Sequence, residues 1–260
     1  MYQRQKKILD MLQRGKVSIP SAAAELGVTE MTVRRDLKEL EKRKLALLVK
    51  GGAIPFPARY EPEENELEHL ERKNAIADVL FLRILPADSI FLSTGSTTLA
   101  FARVLARRNT RPMTVITNSL SIASTLFRSS CKVILLGGEL RTHSLDLIGP
   151  VAEKNLEEYH VDYLISGCDA AIADHGFYTS DMSLANLERK SLQIADQAVI
   201  VCDSSKFGKR ALTRFAQTNE IDLLVTDDNL RHEDFTLLHR SGMEILKASV
   251  SGSTPSGITP

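Results

Sequence analysis

Through the first fifty residues the apolar positions recur at helical spacing in three short sets: Ile8, Met11 and Leu12, then Ala23 and Leu26, then Val33, Leu37 and Leu40. The spacing predicts three short helices. Gly15 ends the first, Ser18 and Pro20 open the second, Gly27 stops it and Thr29 caps the third. Two helices joined by the few residues around Gly27 and Val28 make a helix-turn-helix. Leu45 to Val49 then reads as a strand and Lys50-Gly51-Gly52-Ala53 as a tight turn, which adds a β-hairpin wing. Residues 1–53 are expected to be a winged helix.

The periodicity is then interrupted by Pro55, Pro57 and Pro62, and six glutamates from Glu61 to Glu71 make the stretch polar and solvated. A linker is placed at residues 54–66. From Glu66 to Leu85, the positions of Leu67, Leu70, Ile76, Val79, Leu80 and Ile84 predict a helix that leads into a second domain and couples it to the first. Beyond Pro86, short apolar runs alternate with helical segments: Ile90 to Leu92, Val115 to Ile116, Val133 to Leu136, Tyr163 to Ile165, Val199 to Val201, Leu223 to Val225 and Glu244 to Leu246. Such alternation predicts a mostly parallel α/β sheet over residues 67–248. Residues 249–260, rich in Ser, Thr, Gly and Pro and without a charge, read as a disordered tail.

Composition sharpens this division. The 260 residues are 43% apolar and 25% charged, enough for one or two packed cores. Thirty-three basic side chains balance thirty-three acidic ones, yet residues 1–53 hold 12 basic against 6 acidic, so a head of charge +6 precedes a body of −6. The longest apolar runs are five residues, far below the roughly 20 that a membrane-spanning helix needs. Arg4, Lys6 and Lys7 run directly into the amphipathic pattern without the apolar core of a signal peptide, which predicts a cytoplasmic protein. Cys131, Cys168 and Cys202 lack C-x-x-C spacing and read as buried small hydrophobes. Six scattered histidines without H-E-x-x-H spacing predict no metal.

On the third helix, at 100° per residue, Leu37 and Leu40 lie within about 40° of Val33, and Met31, Arg35, Lys38 and Lys42 point the other way. A packed back and a cationic front suit the major groove, where arginine reads guanine edges, lysine meets phosphate, and Met31 or the Thr32 methyl touches a thymine methyl. A solvated charged face is the plain alternative. Placement on the second helix of a helix-turn-helix, in a head of charge +6 with a Lys-Gly-Gly wing, favours DNA. The expected DNA contacts are Thr29, Glu30, Met31, Thr32, Arg34, Arg35, Lys38, Lys42, Lys50, Gly51 and Gly52. A protein partner for the head is a weaker alternative.

The run Leu26-Gly27-Val28-Thr29-Glu30-Met31-Thr32-Val33-Arg34-Arg35-Asp36-Leu37, followed by Lys50-Gly51-Gly52-Ala53, closely resembles the DeoR family of bacterial sugar-responsive repressors. The resemblance continues through Thr117-Asn118-Ser119, Leu136-Gly137-Gly138 and Asp203-Ser204-Ser205-Lys206-Phe207-Gly208, from about residue 3 to 247. It implies a transcriptional repressor of a carbohydrate-metabolism operon, with a sensor domain similar to ribose-5-phosphate isomerase. The whole chain is then an α/β protein: an N-terminal winged helix-turn-helix and a C-terminal, mostly parallel α/β sensor.

Ligands of open parallel sheets bind beyond the carboxyl ends of the strands. The residues there are uniformly small or polar: Ser93-Thr94-Gly95-Ser96-Thr97-Thr98, Thr117-Asn118, Gly137-Gly138, Asp169 and Lys206 form the expected effector set. The first loop presents N–H groups and hydroxyls at a helix start, either an anion cradle or an ordinary N-cap turn. Lys206 as counter-charge tips the reading to a phosphorylated sugar. No Walker loop or G-x-G-x-x-G occurs, and no cofactor is expected.

The resemblance also raises an enzyme, a sugar-phosphate isomerase with a DNA-binding head. The isomerase pattern Asp-Gly-Ala-Asp corresponds to Ser166-Gly167-Cys168-Asp169, which keeps one carboxylate and loses the other. Asp174-His175-Gly176-Phe177-Tyr178 replaces its lysine loop, although Glu188 falls near the position of the base. A binding relic, not a catalyst, is expected, and Glu188 is assigned to helix ends or to Arg189 and Lys190. A single small winged helix competes poorly for a genome of sites, so a homo-oligomer, dimer or tetramer, is expected.

Overall fold

The computed structural model describes residues 3–13, 17–42, 46–49, 51–55 and 69–249. The stop at Gly15, the wing residue Lys50, most of the linker and nearly all of the tail lie outside them. The chain divides into two compact units, residues 1–63 and 64–260.

The first unit runs α1 (Gln3–Gln13), β1 (Val17–Ser18), α2 (Ile19–Leu26), α3 (Glu30–Lys42), β2 (Ala46–Val49) and β3 (Gly52–Pro55). Its strands form an antiparallel sheet in the order β1-β3-β2. The predicted apolar stripes meet in one core of Ile8, Leu12, Ile19, Ala22, Ala23, Val33, Leu37 and Leu40, closed by Val17, Ala46 and Ala53 from the sheet side. Gly27 ends α2 at φ 63, a left-handed geometry that spares glycine the steric penalty of a Cβ. The Thr29 hydroxyl accepts from the Thr32 N–H at 3.3 Å, as its capping role requires. The Arg4 guanidinium grips the buried Asp36 carboxylate through two nitrogens, its Nη2 lying 3.2 Å from Oδ1, and so ties α1 to α3.

The second unit opens with α4 (Leu70–Arg83), shorter at its carboxyl end than the helix predicted to Leu85. It continues through β4 (Ser89–Leu92), α5 (Ser96–Arg108), β5 (Thr114–Thr117), α6 (Leu120–Leu126), β6 (Lys132–Leu135), β7 (Glu139–Arg141), β8 (Asp146–Ile148) and α7 (Pro150–Leu156). The remainder is β9 (Val161–Ser166), β10 (Ala170–Ile172), β11 (Gly176–Thr179), α8 (Met182–Ser191), β12 (Ala195–Val201), β13 (Thr213–Ala216), β14 (Leu223–Asp227), α9 (His232–Arg240) and β15 (Glu244–Ala248).

Seven of these strands form one fully parallel sheet in the order β15-β14-β12-β9-β4-β5-β6. Side chains alternate across it. Phe91, Ile116, Leu164, Ile200 and Leu224 face a core shared with Ala152, Leu156, Ala185, Leu187 and Leu238 of α7, α8 and α9. Their neighbours Ile90, Val115, Ile165, Val199 and Val225 are equally buried on the opposite face, where α4 crosses β14 and β15 and packs on α5. Two antiparallel additions were not predicted: the β7–β8 hairpin and a small sheet β10-β11-β13.

The strand order of this sheet has one reversal. From β4 the chain steps outward to β5 and β6, then returns to the other flank of β4 as β9 and steps away through β12, β14 and β15. The direction reverses between β4 and β9, which is where an open parallel sheet leaves a crevice beyond its strand ends.

Candidate functional sites

On α3 the core positions Val33, Leu37 and Leu40 are fully buried, while Met31 (75% exposed), Arg34, Arg35, Lys38 and Lys42 all reach solvent. Arg34 stands 3.8 Å from Glu30 and Lys42 3.7 Å from Glu39, exposed pairs of little energetic weight. Among the described residues no ion pair engages Arg35 or Lys38. The helix therefore presents two uncompensated cations flanked by two loosely held ones, opposite a rigid apolar back.

The wing needs a correction. Gly52 is not part of the turn and is buried, because it already belongs to β3, paired with Val49 on one side and Ser18 on the other. A Cβ there would stand 2.0 Å from the Val17 carbonyl oxygen. Its need for glycine is thus close backbone approach inside the sheet, not approach to DNA. Gly51, exposed at φ 82, occupies the tip.

At the strand ends of the second unit, the structure gathers the predicted polar loops on the adjacent strands β12, β9, β4 and β5. The Thr94 N–H donates to Asn118 Oδ1 at 3.1 Å, and Asn118 Nδ2 donates to the Leu147 carbonyl at 3.3 Å, which fixes the loop between β4 and α5. Gly95 precedes α5 at φ 151, and the Thr98 hydroxyl closes back on its carbonyl at 2.9 Å. The first-turn N–H groups of a helix have no partner within it, so Gly95, Ser96, Thr97 and Thr98 offer backbone donors there. Thr97 and Thr98 are themselves buried, and Thr94 and Ser96 partly exposed.

Of the other members of the expected effector set, Ser93 and Thr117 build the crevice instead of lining it, whereas Gly137, Gly138 and Asp169 are exposed and Lys206 is half-buried. The Ser93 hydroxyl donates to Glu188, and the Thr117 hydroxyl to the Leu92 carbonyl at 2.6 Å; both residues are buried. The Gly137 N–H is taken by Asn155 at 3.2 Å, and a Cβ on Gly138 would meet the Ile148 carbonyl oxygen at 2.6 Å. Asp169 accepts from the Ser180 N–H and hydroxyl, each at 2.7 Å. Lys206 ends a short turn, Ser204–Lys206, whose N–H groups are anchored on Asp203 and Asp227 at 3.0 and 2.7 Å.

The residue that sequence reasoning misassigned is Glu188. It is 3% exposed, and its two oxygens accept from the Ser93 hydroxyl after β4 and, at 2.8 Å, from the Ser166 hydroxyl that ends β9. One carboxyl thus straddles the two strands at the reversal point. Burial pushes its pKa from 4.5 up to about 7; the two hydroxyls oppose the shift, and the nearby Asp146 and Asp169 charges add to it. Arg189 instead bonds Asn186 and the Arg214 carbonyl, and Lys190 pairs with Glu157. The available signal was the spacing Ala185, Glu188, Ser191, which puts all three on the core-facing side of α8.

Cys202 is buried as expected, but Cys131 and Cys168 are only partly so, and all three are free thiols. Among the described residues no helix is long and apolar enough to cross a membrane, and no cluster of His, Cys, Asp and Glu could hold a metal ion.

Residues 4–56 match the family model of the DeoR-like helix-turn-helix domain and residues 68–228 that of the DeoR C terminal sensor domain. The chain is 33% identical over 254 residues to the HTH-type transcriptional repressor GlcR of Bacillus subtilis, covering 95% of this chain and 96% of that protein. It is 31% identical over 248 residues to the HTH-type transcriptional regulator GlpR of Haloferax volcanii, covering 94% and 96%. Among solved structures, ribose 5-phosphate isomerase A of Methanocaldococcus jannaschii aligns with a TM-score of 0.38 and 19% identity over 52% of this chain and 53% of that one.

Proposed function

The chain belongs to the DeoR family of transcriptional regulators, and from that membership we propose a cytoplasmic repressor of a carbohydrate-metabolism operon that reads operator DNA with α3 and senses a phosphorylated sugar in the β4–β9 crevice. The observation that carries the DNA half is the exposed, unpaired Arg35 and Lys38 on the second helix of the helix-turn-helix, backed by a fully buried stripe. The crevice half rests on the free N–H groups at the start of α5, beside a loop pinned by Asn118. A sugar phosphate that prefers one conformation of the protein shifts the population competent for DNA.

The deciding experiment is a competition gel shift. Arg35→Ala loses about 1 to 3 kcal/mol of discrimination between operator and random DNA, while Lys42→Ala lowers affinity evenly and reduces the salt slope by about one. Unchanged discrimination by the Arg35 variant removes that residue from base reading. Binding of the head that ignores salt altogether favours a protein partner.

One observation favours an isomerase as a second reading: a carboxyl whose pKa lies at about 7 is matched to proton transfer at neutral pH. Both oxygens of Glu188 are already engaged by serine hydroxyls, however. An aldose–ketose assay on pentose and hexose phosphates separates the two readings.

A further inference from the structure

Cys168 follows β9 and Cys202 follows β12, and these strands are paired in parallel as far as Ser166 opposite Ile200. Two residues further along each chain bring Cys168 opposite Cys202. The backbones still run side by side at that point, since a Cβ on Gly167 would stand 3.8 Å from the Val201 carbonyl oxygen. Neighbouring strands lie about 4.8 Å apart, within the roughly 4.4 to 6.8 Å between Cα atoms that a disulfide spans.

Direction agrees with distance. Ile200 and Cys202 belong to the same buried cluster, and Cys168 packs against that cluster from its own strand end. The neighbouring Cys168, together with burial, pushes the Cys202 thiol well above its ordinary pKa. Cys168 is partly exposed and can meet a small oxidant, whereas Cys202 is sealed beneath it. Cys131 lies elsewhere, just before β6, where Asn109 Nδ2 donates to its sulfur at 3.4 Å.

We propose that Cys168 and Cys202 are a redox-modification site that closes to an intrachain disulfide when a hydroperoxide oxidises Cys168. The Cys168 thiolate, its proton given up to solvent, attacks one oxygen of hydrogen peroxide, the O–O bond breaks, and the departing hydroxide takes a proton back from solvent and leaves as water, which turns Cys168 into a sulfenic acid. The Cys202 sulfur then displaces the hydroxyl from Cys168 sulfur, forming S–S, and the hydroxyl leaves as a second water with the proton from Cys202. Two thiols lose two electrons, and hydrogen peroxide is reduced to two waters. The bond staples the loop that carries Asp169 to the turn that carries Lys206. On the crevice reading above, it locks one wall of the effector site.

The test treats the purified full-length chain with hydrogen peroxide, alkylates the remaining thiols, and reads intact mass and linked peptides. It needs no effector, so its failure is distinct from failure of the crevice reading. The expected result is loss of two hydrogens per chain, a Cys168–Cys202 linked peptide, reversal by dithiothreitol, and Cys131 still alkylated. Cys202→Ser is expected to leave a sulfenic acid on Cys168 that dimedone captures, with no linked peptide. Full alkylation of Cys168 and Cys202 after peroxide overturns the proposal, as does Cys168 passing directly to sulfinic acid or a link through Cys131.

Discussion

Replacing Glu188 by glutamine keeps the shape of the side chain and hydrogen bonding to Ser93 and Ser166 while removing the ionisation. The carboxyl titrates at 4.5 ordinarily and at about 7 in the fold. Between those values the folded protein holds a proton that the unfolded chain has released, so stability falls as pH rises through that window. The contribution is fully present below about pH 4.5 and fully lost above about pH 7. At about 1.4 kcal/mol per pKa unit, the displacement is worth on the order of 3 kcal/mol. Glutamine has no such slope. Urea unfolding of parent and Glu188→Gln at pH 5 and pH 8, following the transition of the second unit, should therefore show the variant gaining about 2.5 kcal/mol on the parent between the two pH values, since pH 5 already lies about half a unit inside the window. All other titrating groups cancel in that double difference. An equal parent-to-variant gap at both pH values would refute the claim that burial between Ser93 and Ser166 holds the proton on.

Gly52→Ala should destabilise the first unit by at least about 1 to 3 kcal/mol, since the new methyl collides with the Val17 carbonyl; an unchanged thermal transition contradicts the assigned register. Lys206→Met should bind operator normally but fail to respond to effector, and calorimetry on the parent should find the sugar phosphate bound far more tightly than the free sugar, because charge-assisted bonds to the α5 cradle are lost. Equal affinity for both sugars sinks the cradle. Full-length protein and residues 66–260 should both scatter light as at least a dimer, since a head of charge +6 repels its copy; a monomeric 66–260 fragment beside an oligomeric full chain moves the interface to the head.

Much of this architecture was legible because it is local. The buried stripe of α3 follows from three residues at helical spacing, and each parallel strand announces itself as a short apolar run between helices. What escaped depends on partners distant in the chain. β1 is two residues long and exists only because β3 lies beside it. The strands β7, β8, β10, β11 and β13 are each three or four residues, too short for a period of two to stand out. Gly51 and Gly52 look alike as a dipeptide, and only the pairing of Val49 with Gly52 decides which one turns. Glu188 was visible as a polar residue on an apolar stripe, but its partners Ser93 and Ser166 are brought to it by the sheet.

The reversal of strand order between β4 and β9 also sets a timetable for synthesis. Among the described residues, every strand pairing of the head lies between Val17 and Pro55, so that unit can close while the ribosome is still early in the message. Ile90, Phe91 and Leu92 have β5 on one flank soon afterwards, but the other flank waits for Tyr163, Leu164 and Ile165. Until those residues emerge, a nascent chain with a finished head carries an apolar, open sheet edge at the place where the crevice will form. The sensing half is thus the slow and aggregation-exposed half, and a chaperone that attends this protein would find its substrate at β4.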